Sequence, residues 1–348
     1  MPPASHPITG TLFHACGALS ASLCYTPQKK IRAWSWETYW LAQAAFCWLI
    51  LPVIGAMLTI PELGSVLAEA PKAAMARSFG LGALYGIGGI AFGVAIRHLG
   101  FALTYSLAVG LSSVLGTLLP PLIAGNLGAM LAGRGGAWII GGVLLGTAGI
   151  ALCGWSGWLK EGDLRQGAAP TTFSARRGVP LCVLAGVLSA VFSFSLAAGQ
   201  PVADVAAAHG AGQFQGNVIY LFSNTGAFLT SAIYCFRLGR RNRSLGEYTA
   251  GAVGALGANW LLAALSGALW YFQFFFYGLG HTRMGTYDFS SWALHMIMLV
   301  TFSNVLGLVL REWRGCQPRT VRALTAALTV LVTAVLFIAY GNYLGTPA

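Results

Sequence analysis

The chain has 348 residues, of which 56% are hydrophobic and only 8% charged, about a third of the charge that a soluble domain carries. Twenty Lys and Arg against nine Asp and Glu leave a net charge of +11, yet the basic residues lie in short stretches between apolar runs, where they orient a membrane protein and do not grip nucleic acid. Composition thus argues against a soluble enzyme and a nucleic-acid binder, and for a polytopic membrane protein.

Ten apolar runs are long enough to cross roughly 30 Å of hydrocarbon. They fall near residues 9–26, 37–60, 78–96, 101–124, 136–156, 178–199, 215–236, 256–280, 288–310 and 322–341. Backbone polar groups in lipid must be satisfied within each segment, so runs of this length are predicted to be helices. The expected fold class is all-α, with ten transmembrane helices joined by short loops. No basic stretch precedes the first run, which is expected to be a retained span and not a cleaved signal peptide. Sixteen of the twenty Lys and Arg fall in loops that follow odd-numbered runs, and four (Lys72, Arg77, Arg134, Arg283) on the other side. Positive loops stay in the cytoplasm, so both termini are predicted to face outward from a bacterial inner membrane. The 46 glycines suit close helix packing in lipid, and the seven cysteines, with no CxxC pair, read as small buried hydrophobes.

Three short patterns recur five runs apart. Gly82-Ala83-Leu84-Tyr85 matches Gly267-Ala268-Leu269-Trp270, Gly17 to Ala21 matches Gly186 to Ala190, and Ser113 to Gly116 matches Asn304 to Gly307. Because five is odd, the second copy must lie upside down. This predicts two inverted five-helix repeats, residues 1–165 and 178–348, joined by a cytoplasmic linker at 166–177. Such halves can exchange roles and open a central site to either side, which is a transporter signature.

Ionisable and polar groups inside a bilayer are costly and are functional candidates by default. In the seventh run, Asn217, Tyr220 and Asn224 form a polar seam suited to solute binding or to hydrogen bonding between helices. Trp270, Gln273, Tyr277 and His281 form one stripe along the eighth. Aromatic rings cover the C–H faces of a sugar, while Gln and His replace the water its hydroxyls lose; an interfacial aromatic helix would carry the same residues. On the ninth run Asp288, Trp292 and His295 share a helical face, with Trp292 a further sugar-binding candidate and His295 about 10 Å deeper than Asp288. A partly desolvated carboxylate can exchange protons near neutral pH, so Asp288 is the expected proton carrier and His295 a relay or hydroxyl partner; a helix-capping Asp288 is the alternative. Glu37 reads as an interface anchor at a helix start, and Asp204 and His209 as solvated loop residues. No cofactor or metal is expected, since GxxxxGKS/T, HExxH and a partnered GxSxG are all absent.

Several of these stretches carry a resemblance: Cys24-Tyr25-Thr26-Pro27-Gln28-Lys29-Lys30 running into Trp34-Ser35-Trp36-Glu37-Thr38, Leu84 to Gly88 with Arg97-His98-Leu99-Gly100, Trp270 to Tyr277 with Gly280-His281, Tyr287 to Met296, and Gly307 to Trp313. Over nearly its whole length the chain resembles the bacterial L-rhamnose–proton symporter family of the drug/metabolite transporter superfamily, least so over 110–126 and 200–224. The resemblance implies a ten-helix importer of L-rhamnose, or of a related deoxy- or pentose sugar, coupled to a proton. Asp288 as proton carrier rests on the physics of a buried carboxylate and not on the resemblance. Two other readings stay open at this point: an exporter of another small solute, and an intramembrane enzyme using Asp288 and His295.

Overall fold

The computed structural model describes residues 6–99, 101–164, 174–250 and 253–345, which are mostly helical, with no strand among them. A helix occupies each apolar run: α1 (Pro7–Leu23), α2 (Trp36–Thr59), α3 (Lys72–Leu99), α4 (Phe101–Ile123), α5 (Gly136–Leu164), α6 (Ala175–Ala208), α7 (Tyr220–Asn242), α8 (Val253–His281), α9 (Ser291–Val309) and α10 (Pro318–Leu344). Among the described residues nine of these, α2 to α10, are long and apolar enough to cross a membrane. The 17 residues of α1 reach roughly 26 Å, short of the hydrocarbon thickness. Several helices outrun their apolar stretch, α5 through Lys160 and Asp163, because charged side chains leave the lipid while the helical backbone continues. Short helices at Leu63–Glu69 and Leu127–Ala132 occupy connections that read as plain loops in the sequence. Gly100, Arg165 and most of the predicted linker (166–173) lie outside the described residues.

One irregularity positions side chains that matter below. Helix α2 contains a π turn at Phe46–Ile50, just before Pro52. Proline has no N–H to give the carbonyl four residues back and its ring crowds that carbonyl, so the wider turn relieves the clash. Trp40 and Trp48 would stand roughly 80° apart around an unbroken α-helix. The extra residue of a π turn rotates later positions back by roughly 100°, bringing the two indoles toward one face.

The chain forms two compact units. The first takes Leu23–Ile87 and Phe194–Leu279, and so holds α2, α7, most of α8 and the adjoining parts of α3 and α6. The second takes the described residues up to Ser22, those of Gly88–Ser193, and those from Gly280 onward, with α1, α4, α5, α9 and α10. Each unit draws on both halves of the sequence.

Within the first unit, small residues let backbones touch. A Cβ on Gly82 would strike the Ser223 carbonyl of α7, and one on Gly267 of α8 would lie 2.8 Å from the Gln43 carbonyl of α2. In the second unit α5 and α10 approach in the same way: a Cβ on Gly142 would lie 2.9 Å from the Ala334 carbonyl. Their seam is closed by Ile139, Val143, Leu331 and Ile338, all buried. Gly82→Ala is therefore expected to destabilise the protein by about 1–3 kcal/mol through overpacking, seen as a lower melting temperature in detergent. Gly64→Ala, with no atom within 4 Å of the new methyl, should leave the melting temperature unchanged.

Candidate functional site

In the first unit, α2 and α8 build an aromatic cluster around Trp270. Its ring lies 5.3 Å from Trp48, 5.6 Å from Trp40 and 5.8 Å from Tyr25, centroid to centroid, and Trp48 meets Tyr85 of α3 at 6.1 Å. The rings are tilted or edge-on, the arrangement their quadrupoles favour. Trp40 and Trp48 are buried to 2% and 1% exposure, yet neither indole N–H has a partner among the described residues, and neither does Oε1 of buried Gln43. Gln273, almost one turn beyond Trp270, is 8% exposed, and its amide makes no hydrogen bond to a described residue. Buried polar groups in folded proteins are nearly always hydrogen-bonded. Unmet donors and acceptors among aromatic faces therefore suit a ligand with both C–H faces and hydroxyls. Tyr277 is buried further along the α8 stripe.

The polar seam of the seventh run is divided. Asn217 precedes α7 in the 3-10 segment Gly212–Val218, where its amide donates to Thr59 Oγ1 of α2 at 2.9 Å. Tyr220 donates its hydroxyl to the Phe274 carbonyl of α8 at 2.7 Å. Both are engaged in tertiary structure. Asn224 is fully buried, with no partner for its Nδ2 among the described residues.

The second unit holds His14, His281, Asp288 and His295. Buried His295 of α9 faces His14 of α1, also buried, with ring centroids 5.9 Å apart and planes at 71°. His281, at the end of α8, contacts Ser291 Oγ through Nδ1 at 3.2 Å and Asp288 Oδ2 through Nε2 at 3.9 Å. Asp288 does not share the α-helical face expected of it. It lies in a 3-10 turn, Gly285–Ser290, before α9, with its side chain 52% exposed. Gly285 at φ +65° opens that turn, and Tyr287 pins it by donating to the Arg134 carbonyl at 2.8 Å. The burial expected at Asp288 is found instead at His295. Trp292 donates its indole N–H to the Ser112 carbonyl of α4 at 3.1 Å and packs its ring against Gly116, which ties α9 to α4. A cavity of about 70 Å³ in this unit is lined by Ser106, Lys160, Asn304 and Glu312, with Lys160 Nζ 3.5 Å from Glu312, large enough for only a few waters.

Two acidic and basic positions differ from expectation. Glu37 lies in the first turn of α2, as expected, but is only 4% exposed, its Oε1 accepting from Asn242 Nδ2 at 2.8 Å and Ser244 Oγ at 2.9 Å. His209 is no free loop residue: it bridges Glu69 at 3.0 Å and Glu62 at 3.3 Å. The hydrogen bond to Glu69 raises its pKa above the ordinary 6.5. A raised folded-state pKa stabilises the charged clamp below the unfolded value and loses that stabilisation as pH rises through the folded one. Hydrogen exchange at residues 62–69 is therefore expected to quicken as pH rises above 6.5, after correction for intrinsic rates, and His209→Ala to abolish the dependence.

Sequence reasoning missed Trp40, Trp48, Gln43 and His14. The tryptophans converge only because of the π turn. The rule that flagged His295, an ionisable group in an apolar run, applies equally to His14.

Known proteins bear on this geometry. The profile of the family described as L-rhamnose-proton symport protein (RhaT) matches residues 4–343. The L-rhamnose-proton symporter of Cronobacter sakazakii is 36% identical over 336 residues, 95% of this chain and 97% of that protein. Those of an Enterobacter species and of Mannheimia succiniciproducens are 34% and 32% identical over 342 and 338 residues, covering 97% and 96% of this chain and 99% and 98% of theirs. These relatives are transporters and not enzymes, and the chain belongs to the L-rhamnose-proton symport protein family.

Proposed function

We propose that this protein imports L-rhamnose, or a closely related deoxy- or pentose sugar, together with a proton by alternating access. The observation that carries the sugar assignment, beyond family membership, is the Trp40–Trp48–Trp270 cluster, with polar atoms and a Gln273 amide that have no hydrogen-bond partner among the described residues. Trp270, Gln273, Tyr277 and Asn224 are the sugar-binding residues of this reading, joined by Trp40, Trp48 and Gln43. His281, Asp288 and His295 handle the proton. The sugar is neutral, so the electrical force acts through the proton, about 2.3 kcal/mol per charge per 100 mV.

Alternating access follows from the inverted repeat, residues 1–165 and 178–348, with α1 as a tenth span. Two close contacts support that repeat. Gly82 and Gly267 occupy matched positions on helices five apart, and each abuts a backbone carbonyl, on α7 and α2 respectively, which are also five apart. Their matched neighbours Tyr85 and Trp270 both pack on Trp48. The charge count supports an inner-membrane protein with both termini outward.

The test is uptake of labelled L-rhamnose by bacteria that lack a rhamnose transporter and express this chain. Accumulation above the external concentration that collapses with a protonophore is expected. Accumulation indifferent to the protonophore would contradict proton coupling, and no uptake would contradict the sugar.

A further inference from the structure

His14 stands outside the residues assigned above. It is fully buried in α1. A Cβ on Gly280 would lie 2.9 Å from His14 Nε2, and one on Gly10 would lie 3.0 Å from the Gly280 carbonyl, so α1 and the end of α8 meet backbone to backbone and leave a slot for this ring. Its edge-on neighbour is His295, with centroids 5.9 Å apart.

From this geometry, and resting on the symport reading above, we propose that His14 and His295 form one proton-binding pair, loaded through Asp288, His281 and Ser291. Two imidazoles this close in a buried site repel when both are charged, so the pair takes up at most one proton beyond those of the two neutral rings. The route to it is stepwise. Asp288 and His281 are partly exposed and 3.9 Å apart, His281 reaches Ser291 at 3.2 Å, and His295 lies one helical turn below Ser291 on α9. Chains of carboxylate and imidazole groups of this sort are what intramembrane proton paths are made from. Of the other ionisable groups, Arg283 holds its guanidinium 4.8 Å over the ring of Phe13, the residue before His14, and its carbonyl accepts from the His6 N–H at 3.1 Å. No step makes or breaks a bond other than to the proton itself.

The experiment compares the wild type with His14→Gln and Gly280→Ala in proteoliposomes. Two readouts separate coupling from sugar handling: accumulation of labelled rhamnose driven by an imposed pH gradient, and counterflow of labelled against unlabelled rhamnose, which needs no net proton movement. Loss of gradient-driven accumulation with counterflow retained is expected for both variants. Wild-type accumulation in His14→Gln would overturn the proposal, whereas a wild type that moves no proton with rhamnose would instead overturn the symport reading. Should the variants fail to fold, the intact pair is tested by NMR of ¹⁵N-histidine in a chain carrying His6→Gln, His98→Gln and His209→Gln. Coupled protonation of His14 and His295 that rhamnose shifts is expected; two imidazoles that stay neutral from acid to neutral pH, with and without rhamnose, would overturn the proposal.

Discussion

Gln273→Leu is expected to weaken L-rhamnose binding by about 5- to 100-fold while leaving the fold as stable as before, or more so. The magnitude follows from one hydrogen bond and one unmet hydroxyl, about 1–3 kcal/mol, at 1.4 kcal/mol per factor of ten. The split between binding and stability follows from the structure. The Gln273 amide has no hydrogen-bond partner among the described residues, so replacing it breaks no bond among them, and leucine fills nearly the same volume. Trp270→Ala should weaken binding too, but at a cost in stability, because three aromatic neighbours lie within 5.8 Å of that ring. Intrinsic tryptophan fluorescence, with three indoles in the cluster, measures the sugar affinity directly, and a melting curve the stability. Equal losses of both in Gln273→Leu would make Gln273 a packing residue.

The largest effect on stability is expected at Glu37. Its carboxylate ties the start of α2 to the end of α7 through Asn242 and Ser244. Hydrogen bonds to a charged group contribute about 1.5–3 kcal/mol each, and the truncation strands the buried Ser244 hydroxyl. Glu37→Ala should therefore destabilise the protein by about 3–5 kcal/mol, a large share of the 5–15 kcal/mol that holds a typical domain together, and lower the yield of folded protein. Glu37→Gln keeps an acceptor and a similar shape and should retain most of the folded yield. The comparison is made by quantifying monodisperse protein after gentle detergent extraction; equal yields for Glu37→Ala and wild type would mean that these bonds contribute little.

The helices were legible in the sequence because lipid leaves the backbone few alternatives, and hydropathy alone set nine spans to within several residues. Helix ends were less so: α5 runs on past Lys160 to Leu164, since nothing in hydropathy says where a helix stops once it reaches water. Trp270 and Gln273 were found through their local stripe. Trp40 and Trp48 were not, since a π turn is a backbone event that a 3.6-residue period cannot register. His14 and His295 meet across more than 280 positions, and no local pattern reports such a pair. The burial of Glu37 at the start of α2 was hidden for a related reason: its partners, Asn242 and Ser244, come from the far end of another helix. Asp288 fell outside α9 because Gly285 and Tyr287 set a 3-10 turn that the i, i+4, i+7 spacing did not foresee.

Co-transport of a proton with the sugar is tested most directly with purified protein in liposomes that enclose a pH-sensitive dye, with the membrane potential clamped by potassium and valinomycin. On addition of external L-rhamnose, the lumen is predicted to acidify as sugar enters, and an added protonophore should abolish the signal. Labelled rhamnose entering with no change in internal pH would contradict the account.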